Sequence, residues 1–266
     1  MCPDSIEEDI MTTAIATVNP VSADHRPTGH RIVSHQQWLA ERKALLEREK
    51  ELTRLHDQIA RERRALPWVR MDKDYVFDTS QGARRLADLF DGRHQLVMQH
   101  FMLPPGWEQG CKSCSYMADH TDATLAHLAA RDTSFVAVSR APLADIERFR
   151  QRMGWTFPWV SSHGTDFNRD FHVTFTPEEK ESGSLDYNFG GKAHGLELPG
   201  VSVFWKDDAG EVFRTYSTYG RGVEVMMHTY NLLDLTPKGR DEDGLDFTMA
   251  WVRHHDRYEN TPAKRS

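Results

Sequence analysis

Residues 96–120 are LVMQHFMLPPGWEQGCKSCSYMADH. The apolar run over 96–103 predicts a buried strand, and the residues near 114–131 have a helical pattern. Cys111 and Cys114 lie where the strand gives way to the helix. In an open α/β sheet, catalytic groups collect beyond the carboxyl ends of the strands. This loop is therefore the expected functional site.

The flanking sequence alternates β-rich runs with helical stretches, which predicts an α/β fold. The runs 96–103 and 133–139 are almost continuously apolar, as is typical of strands covered on both faces, and their spacing suits one right-handed crossover. In the segment 201–217, Asp208-Ala209-Gly210 separates two β-rich runs, which indicates a hairpin that extends the sheet antiparallel. The other predicted elements are a strand at 75–77 and helices at 142–152 and 222–234.

A long amphipathic helix is predicted before the first strand. Ser34 and Gln37 form a capping-box signature, and the helical pattern continues to Pro67. Its apolar stripe repeats every seven residues, at Trp38, Leu45, Leu52, Ile59 and Leu66. The stripe needs a partner, either its own domain or the same helix of a second subunit; a functional coiled coil is the less favoured alternative because the second seam position holds few apolar residues.

Composition and charge exclude several classes of function. Lys and Arg total 33 against 40 Asp and Glu, a net charge of −7 with no basic domain, so we expect no binding to nucleic acid. No uncharged apolar run reaches the length of a membrane span, and the N-terminus MCPDSIEEDI lacks the features of a secretory leader. Three cysteines are too few for a disulfide scaffold in 266 residues, so we expect a cytoplasmic protein with reduced thiols.

The thiol pair stands at a predicted helix N-terminus. The first N–H groups of a helix lack intrahelical partners and, together with the helix dipole, favour an anion. We therefore expect Cys111 to have a lowered pKa and to be the nucleophile, assisted by Lys112 beside it. Cys114 lies one turn further along the helix, within reach to displace a mixed disulfide. The pair predicts a two-step thiol–disulfide exchange.

Two other interpretations of the pair are open. It could be half of a zinc site, but the sequence has no second CxxC, and His120 and His127 would have to fold back onto the helix start. The cysteines could also be inert. Because a strand, a CxxC and a helix follow one another, redox thiols are favoured over both.

No cofactor is expected from the sequence. It contains neither a GxGxxG dinucleotide fingerprint nor a P-loop, so no flavin or nucleotide is implied. His254 and His255 are adjacent, so their side chains diverge, and no further ligand spacing is visible. We interpret them as surface residues rather than metal ligands.

Six segments resemble those of an uncharacterised bacterial thioredoxin-like family, domain-of-unknown-function family 899 (DUF899). They are GWEQGCKSCSYMADH, FVAVSRAPL, MGWTFPWVSS, DFNRDFHVTF, DAGEVFRTYSTYGRG and LTPKGRDEDGLDFTMAWVRHHDRY. The resemblance covers residues 31–260. It implies a thioredoxin-like α/β sandwich with Cys111 and Cys114 as the family's CxxC. Members are commonly labelled predicted dithiol-disulfide oxidoreductases.

The resemblance also divides the chain. It implies an N-terminal helix at 31–70, a thioredoxin-like domain at 71–240 and a C-terminal extension at 241–266. Residues 1–30 show no lasting period and contain Pro, Ser, Thr and Asp, which predicts a flexible arm. The order of elements after the cysteines is similar to that in the peroxiredoxin branch of the fold. In that branch the catalytic loop is followed by a strand ending in Val-Ser, a helix, and a strand introduced by Phe-Pro.

Peroxidase chemistry is the second choice. Peroxiredoxins place Thr or Ser three residues before the attacking cysteine and Pro four residues before that. Pro104 fits this pattern, but Glu108 occupies the hydroxyl position. A carboxylate there would repel the thiolate.

Three further residues are candidates for supporting roles. A thioredoxin-type site sets a cis-proline opposite the cysteines; Pro158 is the candidate, and the alternative is an ordinary trans proline at an edge strand. Arg140 ends the strand after the CxxC helix and would lower the thiolate's pKa or hold an acidic substrate, unless it is a solvated loop residue. His100 would relay a proton, unless a hydrogen bond within the core satisfies it.

Four aromatic residues are predicted near the site. Trp107, Trp155, Phe157 and Trp159 would form a rim that suits a peptide or an apolar small molecule. Core packing explains each of them equally well.

The favoured function is a dithiol-disulfide oxidoreductase that acts on a disulfide or thiol substrate and is restored by an external thiol reductant. A peroxiredoxin-like thiol peroxidase is the second hypothesis. The third is a non-catalytic thioredoxin-fold protein that binds a metal or small ligand and forms a homodimer through the 34–66 helix.

Overall fold

The computed structural model describes residues 29–183, 186–191 and 195–259. The predicted arm at 1–30 lies outside them except for its last two residues. By its internal contacts the chain divides into two compact units, Met1–Leu46 and Glu47–Ser266. The sheet, the core and the thiol pair all belong to the second unit.

The N-terminal helix α1 extends over His35–Arg64. The predicted capping box is present: the Gln37 N–H donates to Ser34 Oγ at 3.2 Å, and the Ser34 N–H donates to Gln37 Oε1 at 3.1 Å. No side chain of α1 is buried, and Trp38 and Leu52 in the apolar stripe are more than half exposed. Pairing of this stripe with a second subunit stays a prediction.

In the described residues, eight strands form one mixed sheet. They are β1 (Val69–Arg70), β2 (Val76–Thr79), β3 (Gly82–Arg85), β4 (Gln95–His100), β5 (Thr133–Ser139), β6 (Trp159–Ser161), β7 (Gly200–Lys206) and β8 (Val212–Tyr219). Their spatial order is β1-β8-β7-β4-β5-β6-β2-β3. The central strands β4, β5 and β6 are parallel, whereas β7 and β8 continue the sheet antiparallel on the other side of β4.

The order β5-β4-β7-β8 is that of the thioredoxin-like core: a parallel pair joined by a crossover, then an antiparallel hairpin beside the first strand. The predicted fold class is confirmed. β5 ends at Ser139, and the next strand, β6, lies parallel beside it, as expected for the peroxiredoxin branch. In the β7–β8 hairpin, the Gly210 N–H donates to Asp207 O at 3.0 Å, and Gly210 has a φ of 86°, which glycine adopts without strain.

Helices flank the sheet. After α1 they are α2 (Lys112–Ala118), α3 (Leu125–Ala129), α4 (Leu143–Met153), α5 (Phe167–Asp170), α6 (Pro177–Ser182) and α7 (His228–Leu233). Four 3₁₀ segments, Leu86–Phe90, Asp122–Thr124, Gly220–Met226 and His255–Arg257, complete the described helical structure. Among the residues that the structure describes, no helix is both long and apolar enough to cross a membrane.

Two of the predicted helices are wrong in length. The stretch 114–131 is divided into α2, a 3₁₀ turn and α3. Two aspartates between α2 and α3 accept hydrogen bonds from the segment that precedes β6. Asp119 Oδ1 accepts the indole N–H of Trp155 at 2.8 Å, and Asp122 Oδ1 accepts the N–H of Phe157 at 2.9 Å. The stretch 222–234 is likewise a 3₁₀ segment followed by α7.

The sheet is covered on both faces, as the apolar strands predicted. One buried cluster joins Leu96 and Met98 of β4 to the ring of Phe167 in α5 and to that of Phe171, which directly follows α5. A second cluster joins the rings of Phe101 and Phe149 and lies against α4. A third, smaller cluster connects α2 with α7 and with the C-terminal part of the chain. This third cluster lies beside the thiol pair.

Candidate functional site

The thiol pair lies where β4 passes into α2. β4 ends at His100, earlier than predicted, because the carbonyl of Met102 turns to accept the Cys111 N–H at 3.0 Å. Cys111 is the N-cap of α2, and its own carbonyl accepts both the N–H and the hydroxyl of Ser115 at 2.9 Å. These bonds fix Cys111 at the front end of the helix.

The Cys111 sulfur is surrounded by hydrogen-bond donors. The Cys114 thiol makes the largest contribution, and the backbone N–H groups of Cys114 and Ser113 and the Ser113 hydroxyl add to it. Burial opposes them, yet together they lower the pKa of Cys111 to about 6. At neutral pH the sulfur is therefore a thiolate, which is the nucleophilic form.

Cys114 differs from Cys111 in its burial and in the direction of its pKa shift. Its side chain is buried, and its pKa is raised well above the ordinary value because its thiol donates to Cys111, because it is buried, and because the Cys111 charge lies close. The Gln99 amide donates to the Cys114 carbonyl at 3.2 Å. The pair thus consists of a partly exposed thiolate and a buried thiol.

Gly110, directly before Cys111, occupies a position that has no room for a side chain. A Cβ at this position would lie 2.5 Å from the ring of Phe101 and 2.7 Å from the ring of Phe149. Both rings are buried in the second core cluster. Glycine therefore lets the loop pass close over that cluster before it enters α2.

His254 holds the same loop from the C-terminal extension. Its Nε2 lies 2.9 Å from the Gly110 carbonyl oxygen, and its Nδ1 lies 3.4 Å from the Arg152 guanidinium. Because an arginine can only donate, Nδ1 is the acceptor, and Nε2 carries the proton that is donated to Gly110. Burial lowers the pKa of His254, and the Arg152 charge lowers it further, so the ring is neutral. The interpretation of His254 as a surface residue is wrong.

His255 is engaged in a separate contact. Its Nδ1 lies 2.7 Å from Asp119 Oδ1, the carboxylate oxygen that also accepts the Trp155 indole N–H. Over the ranges 29–183, 186–191 and 195–259, no three His, Cys, Asp or Glu side chains come together as a metal site. The described residues therefore offer no ligand set for the metal-binding hypothesis.

Of the two cations predicted to support the thiolate, Arg140 is engaged elsewhere, and the assistance expected from Lys112 stays a prediction. Arg140 Nε donates at 2.9 Å to Glu197, a buried carboxylate that also accepts the Thr174 hydroxyl at 2.9 Å. The Arg140 charge is thus matched by Glu197, and its predicted role is corrected. Lys112 is exposed in the first turn of α2, and hydrogen bonds from Cys114 and Ser113 are what lower the pKa of Cys111.

His100 lies in the core. Its Nε2 is 2.9 Å from Ser202 Oγ, and its ring stacks on Phe167. Burial lowers the pKa of His100 to about 3, so the ring is neutral. It is not among the residues that line the cavity at Cys111. The structure therefore places it as a hydrogen-bonded core residue and not as a proton relay.

Pro158 is not the proline opposite the thiols. The described residues contain no cis peptide bond, and the Pro158 carbonyl accepts the Ala137 N–H at 2.9 Å, beside β5. Pro199, which directly precedes β7, is instead the proline that lines the same cavity as Cys111. The sequence signal for Pro199 is a proline immediately before the first apolar strand of the hairpin.

Most of the predicted aromatic rim is core. Trp155, Phe157 and Trp159 are buried, and the ring of Trp159 lies 4.3 Å from that of Phe101 between centroids. Trp107 is partly exposed. An aromatic rim of four residues is therefore wrong, and core packing explains three of them.

A cavity of about 970 Å³ adjoins the thiol pair. Cys111, Ser113 and Cys114 line it on one side, and residues from the C-terminal part of the chain, including Phe247 and Met249, line it on another. The partly exposed Cys111 sulfur is the reactive group that a molecule in this cavity would meet.

The first prediction concerns the space at Gly110. Gly110→Ala is expected to displace the loop, because the new methyl group overlaps two buried rings, and so to lower stability by about 1–3 kcal/mol and to raise the pKa of Cys111. Urea denaturation and the pH dependence of alkylation measure the two effects. Gly244→Ala is the matched control, since its Cβ meets no atom within 4 Å. Equal behaviour of the two variants would contradict the prediction.

The second prediction concerns the bond from His254. His254→Ala removes the donor to the Gly110 carbonyl, which leaves that carbonyl unpaired at a cost of about 1–3 kcal/mol and loosens the loop that presents Cys111. The pKa of Cys111, measured by alkylation, should rise. His254→Gln is expected to restore part of the effect, because its amide can donate. A variant that loses stability while the pKa of Cys111 stays unchanged would limit His254 to a structural role.

Comparisons with known proteins give distant structural matches. A cysteine-to-serine variant of peroxiredoxin Q from Xylella fastidiosa is 14% identical, with a TM-score of 0.38, and the match covers 59% of this chain and 88% of that one. A protein described as the thiol:disulfide interchange protein DsbE from Chlorobium tepidum is 15% identical, with a TM-score of 0.38, covering 62% and 97%. The peroxidoxin BcpB from Mycobacterium tuberculosis is 14% identical, with a TM-score of 0.35, covering 61% and 95%.

No functionally curated protein matches the chain. One family model does, over residues 27–258, and it describes a bacterial protein of unknown function, DUF899. This range includes the sheet, the thiol pair and residues 241–258 of the C-terminal extension. The family predicted from the sequence is confirmed, and the chain is a member of DUF899.

Proposed function

We propose that the protein is a cytoplasmic thiol–disulfide oxidoreductase in which Cys111 is the nucleophile and Cys114 the resolving thiol. The single observation that carries the proposal is the unequal pair at the end of β4. Hydrogen bonds lower the pKa of Cys111, while Cys114 keeps its proton. A reactive thiolate beside a protonated thiol is what the first step of disulfide exchange requires.

The exchange takes place in two steps. The Cys111 thiolate attacks one sulfur of a substrate disulfide, which forms a mixed disulfide and releases the first substrate thiolate. Cys114 then loses its proton and attacks the Cys111 sulfur, which forms the Cys111–Cys114 disulfide and releases the second substrate thiolate. The substrate gains the two electrons that the protein loses. The proton from Cys114 passes to one of the released thiolates, and the other takes its proton from the solvent. An external thiol reductant returns the pair to the dithiol.

The third prediction tests this assignment by alkylation, in a Cys2→Ser background that leaves only the pair. The rate of Cys111 labelling by iodoacetamide should rise with pH through a midpoint near 6, because only the thiolate reacts. Cys111→Ser should abolish the fast phase. Cys114→Ala should shift the midpoint upward, because it removes the donor that contributes most to the low pKa of Cys111. Mild oxidation of the parent should give a reversible 111–114 disulfide.

Slow and equal labelling of both cysteines would refute the proposal. Stoichiometric peroxide provides the other arm of the test: rapid formation of a sulfenate on Cys111 would favour the peroxidase hypothesis instead. Glu108, at the position where peroxiredoxins have a hydroxyl, supports disulfide exchange over peroxide reduction.

A further inference from the structure

Methionine side chains provide much of the apolar lining of the cavity at the thiol pair. Met102 and Met117 come from the β4–α2 part of the chain, and Met227 and Met249 come from its C-terminal part, together with Phe247. Unbranched, polarizable thioether side chains adapt to ligands of different shapes. The lining therefore suits an apolar ligand and can accommodate ligands of more than one shape.

The size of the cavity indicates a small molecule. Its volume of about 970 Å³ lies at the upper end of the range of about 300–1,000 Å³ for small-molecule sites. Cys114 is buried, and Cys111 is only partly exposed. Because Cys111 lines the cavity, a disulfide bound there lies beside the thiolate.

One wall of the cavity is held in place by Glu242. A single carboxylate oxygen, Oε1, accepts the Tyr230 hydroxyl at 2.8 Å, the Met249 N–H at 2.9 Å and the Trp251 indole N–H at 2.6 Å. Bonds to an ionised carboxylate are stronger than bonds between neutral groups. This wall is therefore held in a fixed position beside the thiol pair.

The charged residues of the lining disfavour an anionic ligand. Glu224 accepts from Arg221 at 2.7 Å and from Arg240 at 3.1 Å, so these charges are matched within the wall. Four carboxylates and three cations line the cavity in all, and Asp241 and Asp243 among the carboxylates are exposed. An acidic excess repels a negatively charged substrate.

We propose that this cavity binds an uncharged, apolar small-molecule disulfide as the substrate of the thiol pair. The inference rests on the proposed function and adds the class of substrate. One sulfur of the ligand meets the Cys111 thiolate, and its apolar groups contact the methionine side chains and Phe247. Each exchange step releases one thiolate; one takes the Cys114 proton and the other a proton from the solvent, so both leave as neutral thiols. The electrons come from Cys111 and Cys114, which become the intramolecular disulfide.

The experiment compares three disulfides in single-turnover reactions with the reduced protein, in the Cys2→Ser background: dibenzyl disulfide, oxidised glutathione and insulin. Formation of the 111–114 disulfide is followed by acid quench, alkylation and mass measurement. Each rate is divided by the rate of the same disulfide with dithiothreitol, which removes differences in intrinsic reactivity. The normalised rate for dibenzyl disulfide should exceed the other two by about tenfold or more, the selectivity that apolar pockets commonly provide.

Variants at an exposed aromatic residue test whether the cavity is the source of this selectivity. Phe247 is 66% exposed, so Phe247→Ala and Phe247→Glu should fold normally, and both should reduce the advantage of dibenzyl disulfide several-fold, the glutamate more. Phe189→Ala is the matched control, because Phe189 is 78% exposed and does not line the cavity. Equal normalised rates for the three disulfides, or a preference for glutathione or insulin, would overturn the inference.

A binding measurement separates this inference from the proposed function. Dibenzyl sulfide has no disulfide to exchange, so its binding to the Cys111→Ser variant, measured by calorimetry, does not depend on redox activity. Binding that Phe247→Glu weakens and Phe189→Ala does not supports the apolar site even if no disulfide is reduced. Absence of binding up to the solubility of the ligand would overturn the site while the alkylation results on the thiol pair still stand.

Discussion

A negative charge on a partly buried sulfur is the constraint on which the site depends. Removal of Cys111 from water disfavours the thiolate, so the charge persists only where donors converge on it. The Cys114 thiol and the N–H groups at the start of α2 supply those donors. They converge only if the loop after β4 turns sharply, and the Cys111 N–H bond to Met102, the absence of a side chain at Gly110 and the bond from His254 together hold that turn.

The C-terminal extension is consequently part of the site and not an appendage to the fold. His254 fixes the carbonyl before Cys111, and His255 contacts Asp119 just beyond α2. Further upstream, Glu242 collects three donors that hold one wall of the cavity. Bonds between residues more than a hundred positions apart thus join the last part of the chain to the thiol loop. A thioredoxin-like core alone would leave the Cys111 sulfur with fewer neighbours on this side.

Local patterns predicted the fold better than they predicted the contacts of the site. The apolar run 133–139 coincides with β5, and the parallel pair and the antiparallel hairpin follow from periodicity and turn chemistry. Errors arose where a bond between distant segments decided the outcome. Arg140 pairs with Glu197 rather than with the thiolate, and no spacing in the sequence reveals that pair. The wrong interpretation of His254 as a surface residue has a similar cause. Its partner is the backbone carbonyl of Gly110, and a contact with a backbone group leaves no signature in the sequence.

The unequal pKa values also order the two steps of the proposed exchange. Cys114 keeps its proton chiefly because its thiol donates to Cys111; burial and then the nearby Cys111 charge raise its pKa further. Once Cys111 has formed a neutral mixed disulfide, that charge is gone, and the Cys114 proton is easier to lose. The contact that activates the first sulfur therefore restrains the second until the first has reacted. Burial of Cys114 remains throughout, so its attack depends on its nearness to Cys111 and not on exposure to solvent.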